Sequence, residues 1–396
     1  MDRVILHCDC NNYFASVELL ERPDLRELPV AVAGDPEGRH GIILAKNQLA
    51  KKYGVKTAET IWQAQRKCPG LILLPPHMEK YKAISQQINA IYLDYTDQVE
   101  AFSIDESWLD VTGSQHLFGD GRVIADTLRR RVREEIGITI SVGVSWNKTF
   151  AKMGSDYKKP DATTVITREN VSELLYPLPV TDLIFVGESV GTALAQHGVR
   201  TIGDLASRSR EELEAWLGKS GEGLWIAAQG LDNSPVKRYG ERDPVKSVGN
   251  GMTYPHDLVG REACITGLAP LCERVGARLR AQGLKCGTLT LQIKDPRLKV
   301  ISRQKPMEPP TNLTRSLLKG AISLLEASWS PEAPVRLFTV TAGNLMPEDA
   351  PVPTQLSFLD APPIEDPRQR QLEKTADLLR QKFGAKALKT GRTLNE

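Results

Sequence analysis

Phe102-Ser103-Ile104-Asp105-Glu106-Ser107-Trp108-Leu109-Asp110-Val111-Thr112 sets two adjacent carboxylates, Asp105 and Glu106, inside an apolar, β-prone run. Val99-Glu100-Ala101 leads in and Trp108-Leu109-Asp110-Val111 leads out, the pattern of two strands joined by a tight turn. Burying a carboxylate is costly unless a positive group meets it. Either the acids belong to the turn, where an Asp side chain bonds its own backbone, or a metal ion meets them. Val4-Ile5-Leu6-His7-Cys8-Asp9-Cys10 is a second apolar strand with a single acid. It runs into Asn11-Asn12-Tyr13-Phe14-Ala15-Ser16-Val17-Glu18, which reads as a capped helix start. Laid side by side, the two strands would bring Asp9, Asp105 and Glu106 together, an all-oxygen set that suits Mg²⁺.

The chain of 396 residues, 41% hydrophobic, is long enough for two to four domains with ordinary cores. No apolar run approaches a membrane span, and Met1-Asp2-Arg3 before a short β-like run is no signal peptide, so a cytoplasmic protein is expected. The six cysteines, Cys8, Cys10, Cys68, Cys264, Cys272 and Cys286, form no CxxC pair and are expected as free thiols. Cys8 and Cys10 flank Asp9 and should point away from it, into the core. Net charge is only +2, but its distribution is uneven. Residues 284–305 carry six Lys and Arg against one acid, which reads as a basic sheet face for a phosphate backbone.

Residues 1–170 alternate strand-like and helix-like segments, an α+β pattern with hairpins. Strands are expected near 3–9, 29–34, 41–45, 71–75, 98–104, 107–112 and 139–145, with amphipathic stretches near 79–95 and 122–135. Residues 171–230 read as helices with short loops, and 231–245, with two prolines and mixed charge, as a linker. A second sheet follows over 246–345 in the order β-α-β-β-α-β. The tail, 346–396, turns Pro- and acid-rich, which predicts poor order, and ends in a helix near 368–383.

The segments Cys8 to Glu18 and Ser103 to Asp110 resemble the two catalytic motifs of the Y-family, or translesion, DNA polymerases, most closely the DNA polymerase IV (DinB) branch. The resemblance extends over nearly the whole chain. It implies a multidomain right-hand polymerase with a ferredoxin-like palm, a small fingers insertion at about 12–77, a helix-hairpin-helix thumb and a little finger that straddles duplex DNA. It assigns Asp9 and Asp105 to two Mg²⁺ ions, with Mn²⁺ an alternative, and Glu106 and the Cys10 carbonyl to the same site. Phe14 would stand under the sugar of the incoming deoxynucleoside triphosphate and exclude a 2′-hydroxyl, with Tyr13 beside it. Ser141-Val142-Gly143-Val144-Ser145-Trp146-Asn147-Lys148 through Lys152, Lys159 and Pro160 is similarly family-like, and Lys159 is the position assigned to the β- and γ-phosphates.

This chain also departs from the family. Gln48 and Lys51 stand where Tyr and Arg are usual, which replaces a guanidinium fork by an ammonium. Leu183-Ile184-Phe185-Val186-Gly187 puts Phe185 at the first hairpin glycine of the thumb and leaves Gly187 for phosphate contact. Arg242, Lys246, Lys294, Arg297, Lys299 and Arg303 are the candidate primer-template DNA contacts. Gln355-Leu356-Ser357-Phe358-Leu359 resembles the peptide by which bacterial polymerases dock on the sliding clamp, with its last two residues in reversed order. A monomer without proofreading activity is expected. Two rivals stand beside this reading. A nucleotidyl cyclase would place acids on the same kind of sheet but needs no thumb, second sheet or clamp peptide. A non-catalytic adaptor on the clamp would have lost its acids, whereas all three are present.

Overall fold

A computed structural model describes residues 2–35, 41–350, 367–384 and 387–388; the expected clamp peptide, residues 355–359, lies outside them. The chain divides into two compact units, the first reaching Arg242 and the second starting at Asp243.

In the first unit, β1 (Ile5–Cys10) and α1 (Tyr13–Glu18) lead into a small sheet of β2 (Val30–Ala33), β3 (Ile43–Lys46) and β4 (Ile72–Leu74), with α2 (Gln48–Lys52) and α3 (Ile61–Lys67) between the last two. The long helix α4 (Met78–Leu93) returns to the hairpin of β5 (Val99–Ala101) and β6 (Glu106–Asp110). The short α5 (Gln115–Phe118) and α6 (Gly121–Arg131) then lead to β7 (Ile140–Ser145), α7 (Lys148–Tyr157) and β8 (Thr163–Val165). The strand order is β5-β6-β1-β7-β8, with β1 antiparallel to both neighbours. Without the edge strand β8 this is the ferredoxin-like arrangement, and the small sheet is an insertion between β1 and α4.

All six residues of β1 are buried, because both faces of the sheet are covered. Leu6, Cys8 and Cys10 pack with Tyr81, Ile88 and Tyr92 of α4 and with Ile124 and Leu128 of α6. Ile5, His7 and Asp9 alternate to the other face, where His7 meets Ser155 of α7. The expected cap at the start of α1 differs. Asn12 sits at the cap position in the left-handed region, φ 53°, and its side chain makes no capping bond. The helix is instead started by a turn that a small polar residue tolerates.

A run of small helices follows: α8 (Val171–Leu174), α9 (Glu188–Gln196), α10 (Ile202–Ala206), α11 (Arg210–Leu217) and α12 (Lys219–Ala228). Residues 231–242 form no helix or strand and run along the first unit, where Gln98 Nε2 donates to the Val236 carbonyl at 3.3 Å and the Lys237 amide to Glu100 at 2.9 Å.

The second unit has the expected β-α-β-β-α-β order: β9 (Val248–Leu258), α13 (Arg261–Ala281), β10 (Leu284–Lys294), β11 (Val300–Thr311), α14 (Thr314–Ser328) and β12 (Val335–Pro347). Its strand order, β11-β10-β12-β9, is not that of the first sheet. Both long helices lie on one face, packed on Leu289, Leu291, Ile293, Phe338 and Val340. A last helix, α15 (Pro367–Phe383), closes the described chain. No helix among the described residues is long and apolar enough to cross a membrane.

Candidate active site

Asp9 pairs in register with Glu106 across the β1–β6 ladder, and the Cys10 amide donates to the Asp105 carbonyl at 3.0 Å. These backbone contacts bring all three acidic residues to one end of the sheet. They line a cleft of ≈ 290 Å³ together with Cys10, Tyr13, Gln48, Lys51 and Lys159. The Cys10 thiol belongs to the core, so only its main chain serves the cleft.

The Asp9 side chain is 8% exposed and its Oδ2 accepts from Lys159 Nζ at 2.6 Å; Lys159 also reaches Asp156 at 2.6 Å. Glu106 Oε2 accepts from Lys152 Nζ at 2.8 Å and lies 3.6 Å from His7 Nε2. Asp105 Oδ1 accepts from the Ser103 hydroxyl at 2.7 Å. Burial pushes Asp9 up to about 7, with Lys159 pulling against it and Glu106 adding to the rise. Burial acts on Glu106 in the same sense, but its bonds to His7 and Lys152 outweigh it and bring the group down to about 2. Burial also raises Asp105, opposed by Ser103.

The three carboxylates share the cleft without converging on one point. Among the described residues no three His, Cys, Asp or Glu side chains are gathered to hold a metal ion as they stand. Lys159, Lys152 and Ser103 each engage a carboxylate oxygen that a metal would use. The donor set nevertheless fits a hard divalent cation. It offers three carboxylates and a main-chain carbonyl, and two of the acids are already met by cationic groups.

Tyr13 borders the cleft, its hydroxyl donating to the Tyr81 carbonyl at 2.6 Å. Phe14 is half-buried beside it and stacks on the Tyr81 ring, centroids 4.2 Å apart and 11° from parallel. Gln48 and Lys51 reach the cleft because Asn47 caps α2, its side chain accepting from the Ala50 amide at 2.9 Å.

Other residues of the site lack an assignment in the sequence reading. Lys46 also lines the cleft, and burial followed by the nearby Lys51 lowers its pKa. Asn11 is buried and ties the end of β1 to two distant segments. Its Nδ2 donates to Ser141 Oγ at 2.9 Å, and its Oδ1 accepts from the Asp161 amide at 2.7 Å and from Thr139 Oγ1 at 3.0 Å. The turn that carries Lys159 is pinned to Asn11. The Asn-Asn pair after Asp9 was the only local signal.

The candidate DNA contacts are dispersed. Arg242 and Lys246 are exposed before β9. Arg297 and Lys299 sit at the exposed tip between β10 and β11, and Lys294 closes β10. Arg303 pairs opposite Leu291 and so shares the helix-covered side. The expected basic sheet face is therefore corrected. The open face carries Thr288, Thr290, Gln292, Thr339 and Thr341 with Gly249 and Gly251, and cations stand at its tip and edge. Period-two alternation decides this, since Arg303 and Lys305 of β11 stand opposite the buried Leu291 and Leu289 and so share the helix-covered side, which leaves Lys294 on the open side at its tip. Gly187 caps α9, and Phe185 before it is 76% exposed with φ 71°.

A family profile described as impB/mucB/samB family matches residues 8–156, and the C-terminal domain of that family matches residues 245–358. A protein named DNA polymerase IV from Acetivibrio thermocellus is 45% identical over 396 residues, covering 100% of this chain and 98% of its own length. DNA polymerase IV 2 of Halalkalibacterium halodurans is 38% identical over 395 residues, covering 98% and 94%. Among solved structures, a Y-family DNA polymerase chimera of Dbh and Dpo4 matches with a TM-score of 0.75 at 25% identity, over 87% of this chain and 99% of that one.

Proposed function

Since the chain belongs to the Y-family of DNA polymerases, in the DNA polymerase IV branch, it is a DNA-directed polymerase of the translesion type, and we propose that it extends a primer 3′ end, without proofreading, at the cleft bounded by Asp9, Asp105 and Glu106. What supports this most is the cross-strand Asp9–Glu106 pair with Asp105 beside it, in a cleft shared with Lys159, Lys51 and Gln48.

Asp9 and Asp105 would hold two Mg²⁺ or Mn²⁺ ions, with Glu106 and the Cys10 carbonyl completing the oxygen donors. Bound there, such a pair supplies the activation of the primer oxygen and the neutralisation of the leaving pyrophosphate. Lys159 and Lys51 stand in the same cleft as charge-stabilising groups for the β- and γ-phosphates, with Gln48 as an amide donor. Phe14, fixed by its stack on Tyr81, is the candidate sugar gate, with Tyr13 as the floor beside it. Primer-template DNA would be held by main-chain contact at Gly187 and on the open, Thr- and Gly-rich sheet face. Lys246, Lys294, Arg297 and Lys299 would meet phosphates around it, and Arg303, on the helix-covered side of the edge strand β11, would do so only where the backbone passes that edge. Residues Gln355, Leu356, Phe358 and Leu359 are the proposed contact with the sliding clamp.

Primer extension on an undamaged template with Mg²⁺ and four deoxynucleotides tests the site. The wild-type chain should extend and Asp105→Ala should not, while Phe14→Ala should incorporate ribonucleotides. Equal extension by Asp105→Ala would remove the carboxylates from the chemistry. DNA or clamp binding with no extension by either protein would favour the adaptor role.

A further inference from the structure

The last helix of the second unit, α15, is docked by its charges and presents its apolar residues outward. Its only two acids, Glu373 and Asp377, both turn inward to Arg280 of α13, whose side chain is 4% exposed. Arg280 donates to Glu373 at 2.5 Å and through two nitrogens to Asp377 at 2.6 and 3.1 Å. Glu373 also accepts from the Thr314 amide at 2.8 Å, at the start of α14, which has no side-chain cap of its own. Arg380 pairs with Glu273 of α13. This polar face is therefore part of the fold.

The opposite character faces out. Leu372, Leu378 and Phe383 are each 64% exposed, with Leu379 beside them. Leu372, Leu379 and Phe383 follow the i, i+7, i+11 spacing of a single helical stripe. Lys382 lies next to it, its ammonium 5.4 Å from the Phe383 ring centroid. A continuous exposed apolar stripe of this kind marks an interaction surface. Because both acids are turned inward, the surface is apolar and cationic. A second copy would set like charges against each other, and a phosphate backbone has no use for four large apolar side chains.

Chain length limits the occupant further. Seven residues, 360–366, separate Leu359 from Pro367, and eight Cα steps of at most ~3.6 Å keep the start of α15 within ~29 Å of whatever holds Leu359. We propose that the outward face of α15 is a second docking surface for the sliding clamp, received by an apolar, acid-rimmed patch beside the site of the 355–359 peptide. This rests on the clamp reading above. A contact so tethered is effectively intramolecular once the peptide is bound, so it adds to residence time rather than to first encounter.

Surface plasmon resonance of the full chain on immobilised sliding clamp tests it, with a Leu372→Ser/Phe383→Ser variant, a Lys382→Glu variant and a Gln355→Ala/Phe358→Ala variant. The helix variant should bind about tenfold more weakly or worse, mainly through faster dissociation, with unchanged helix content and unchanged primer extension in the absence of clamp. Lys382→Glu should weaken binding by a smaller factor that shrinks as salt is raised. If the helix variant binds like wild type while the peptide variant does not, the inference fails and the clamp reading stands. If the wild-type chain does not bind the clamp, both fail. Wild-type self-association in sedimentation that the helix variant abolishes would assign the face to a second copy and overturn the proposal.

Discussion

Asp9 holds a carboxylate at the buried end of β1, where burial raises its pKa to about 7 against the pull of Lys159. A metal must displace that proton, so Mg²⁺ affinity should climb as pH rises through 7, by at most about tenfold per unit below it. Calorimetric titrations at pH 6 and 8, in buffers of different ionisation heat, would detect the released proton. A pH-independent affinity with no proton release would place Asp9 outside the metal site. The same upward shift has a stability sign. Protonated Asp9 favours the fold, so the metal-free protein should lose stability as pH rises from the unfolded carboxylate range, about 4, through about 7. Asn11 acts at the same scale but through another residue. Asn11→Ala would free the turn that carries Lys159, and single-nucleotide insertion should show the KM for the triphosphate rising by about tenfold. Asn11→Asp, which keeps the acceptor for the Asp161 amide, should restore most of it. An unchanged KM in the alanine variant would mean that Lys159 is positioned without Asn11. Asn11 has no assignment in the sequence reading because its partners are 128 to 150 residues away, and no local pattern encodes them.

At the scale of single elements, local chemistry and outcome agree where the controlling residues are neighbours. Asn47 caps α2, and Thr60 with Gln63 forms a capping box on α3. Asn12 is the exception, because its backbone turns left-handed where β1 meets α1. Phe185 is the informative departure in the thumb. It holds φ 71° with its ring 76% exposed, a conformation that costs a non-glycine residue about 1–2 kcal/mol. Phe185→Gly gives up little buried area and relieves that cost, less the roughly 0.5–1 kcal/mol of extra chain entropy that glycine loses on folding. Denaturant titration should therefore show the variant stabilised by up to about 1 kcal/mol. A destabilised variant would mean that the ring packs on something within the fold.

Across the whole molecule, the two units have separate cores. Leu6, Leu109, Ile140 and Tyr92 belong to one, and Leu268, Leu289, Phe338 and Val340 to the other. Cooperative unfolding follows shared cores, so calorimetry should resolve two transitions. The piece Asp243–Glu396 made alone should retain one of them. A single transition in the full chain, with no transition in the piece, would show that the second unit depends on the first.

The residues alone determined the alternation of strands and helices, the hairpin that carries Asp105 and Glu106, the burial of Cys8 and Cys10 opposite Asp9, and the β-α-β-β-α-β order of the second unit. Each of these depends on side chains within a few positions of one another, through periodicity, turn chemistry and caps. Only the tertiary structure decided the strand order of the second sheet, which of its faces the helices cover, and that Lys159 and Lys152 reach Asp9 and Glu106. It alone decided that α15 docks by its acids and leaves its leucines outside. Those outcomes depend on partners that are mostly tens to more than a hundred residues away, chosen by which buried charges can be satisfied together. A local pattern carries no record of that choice.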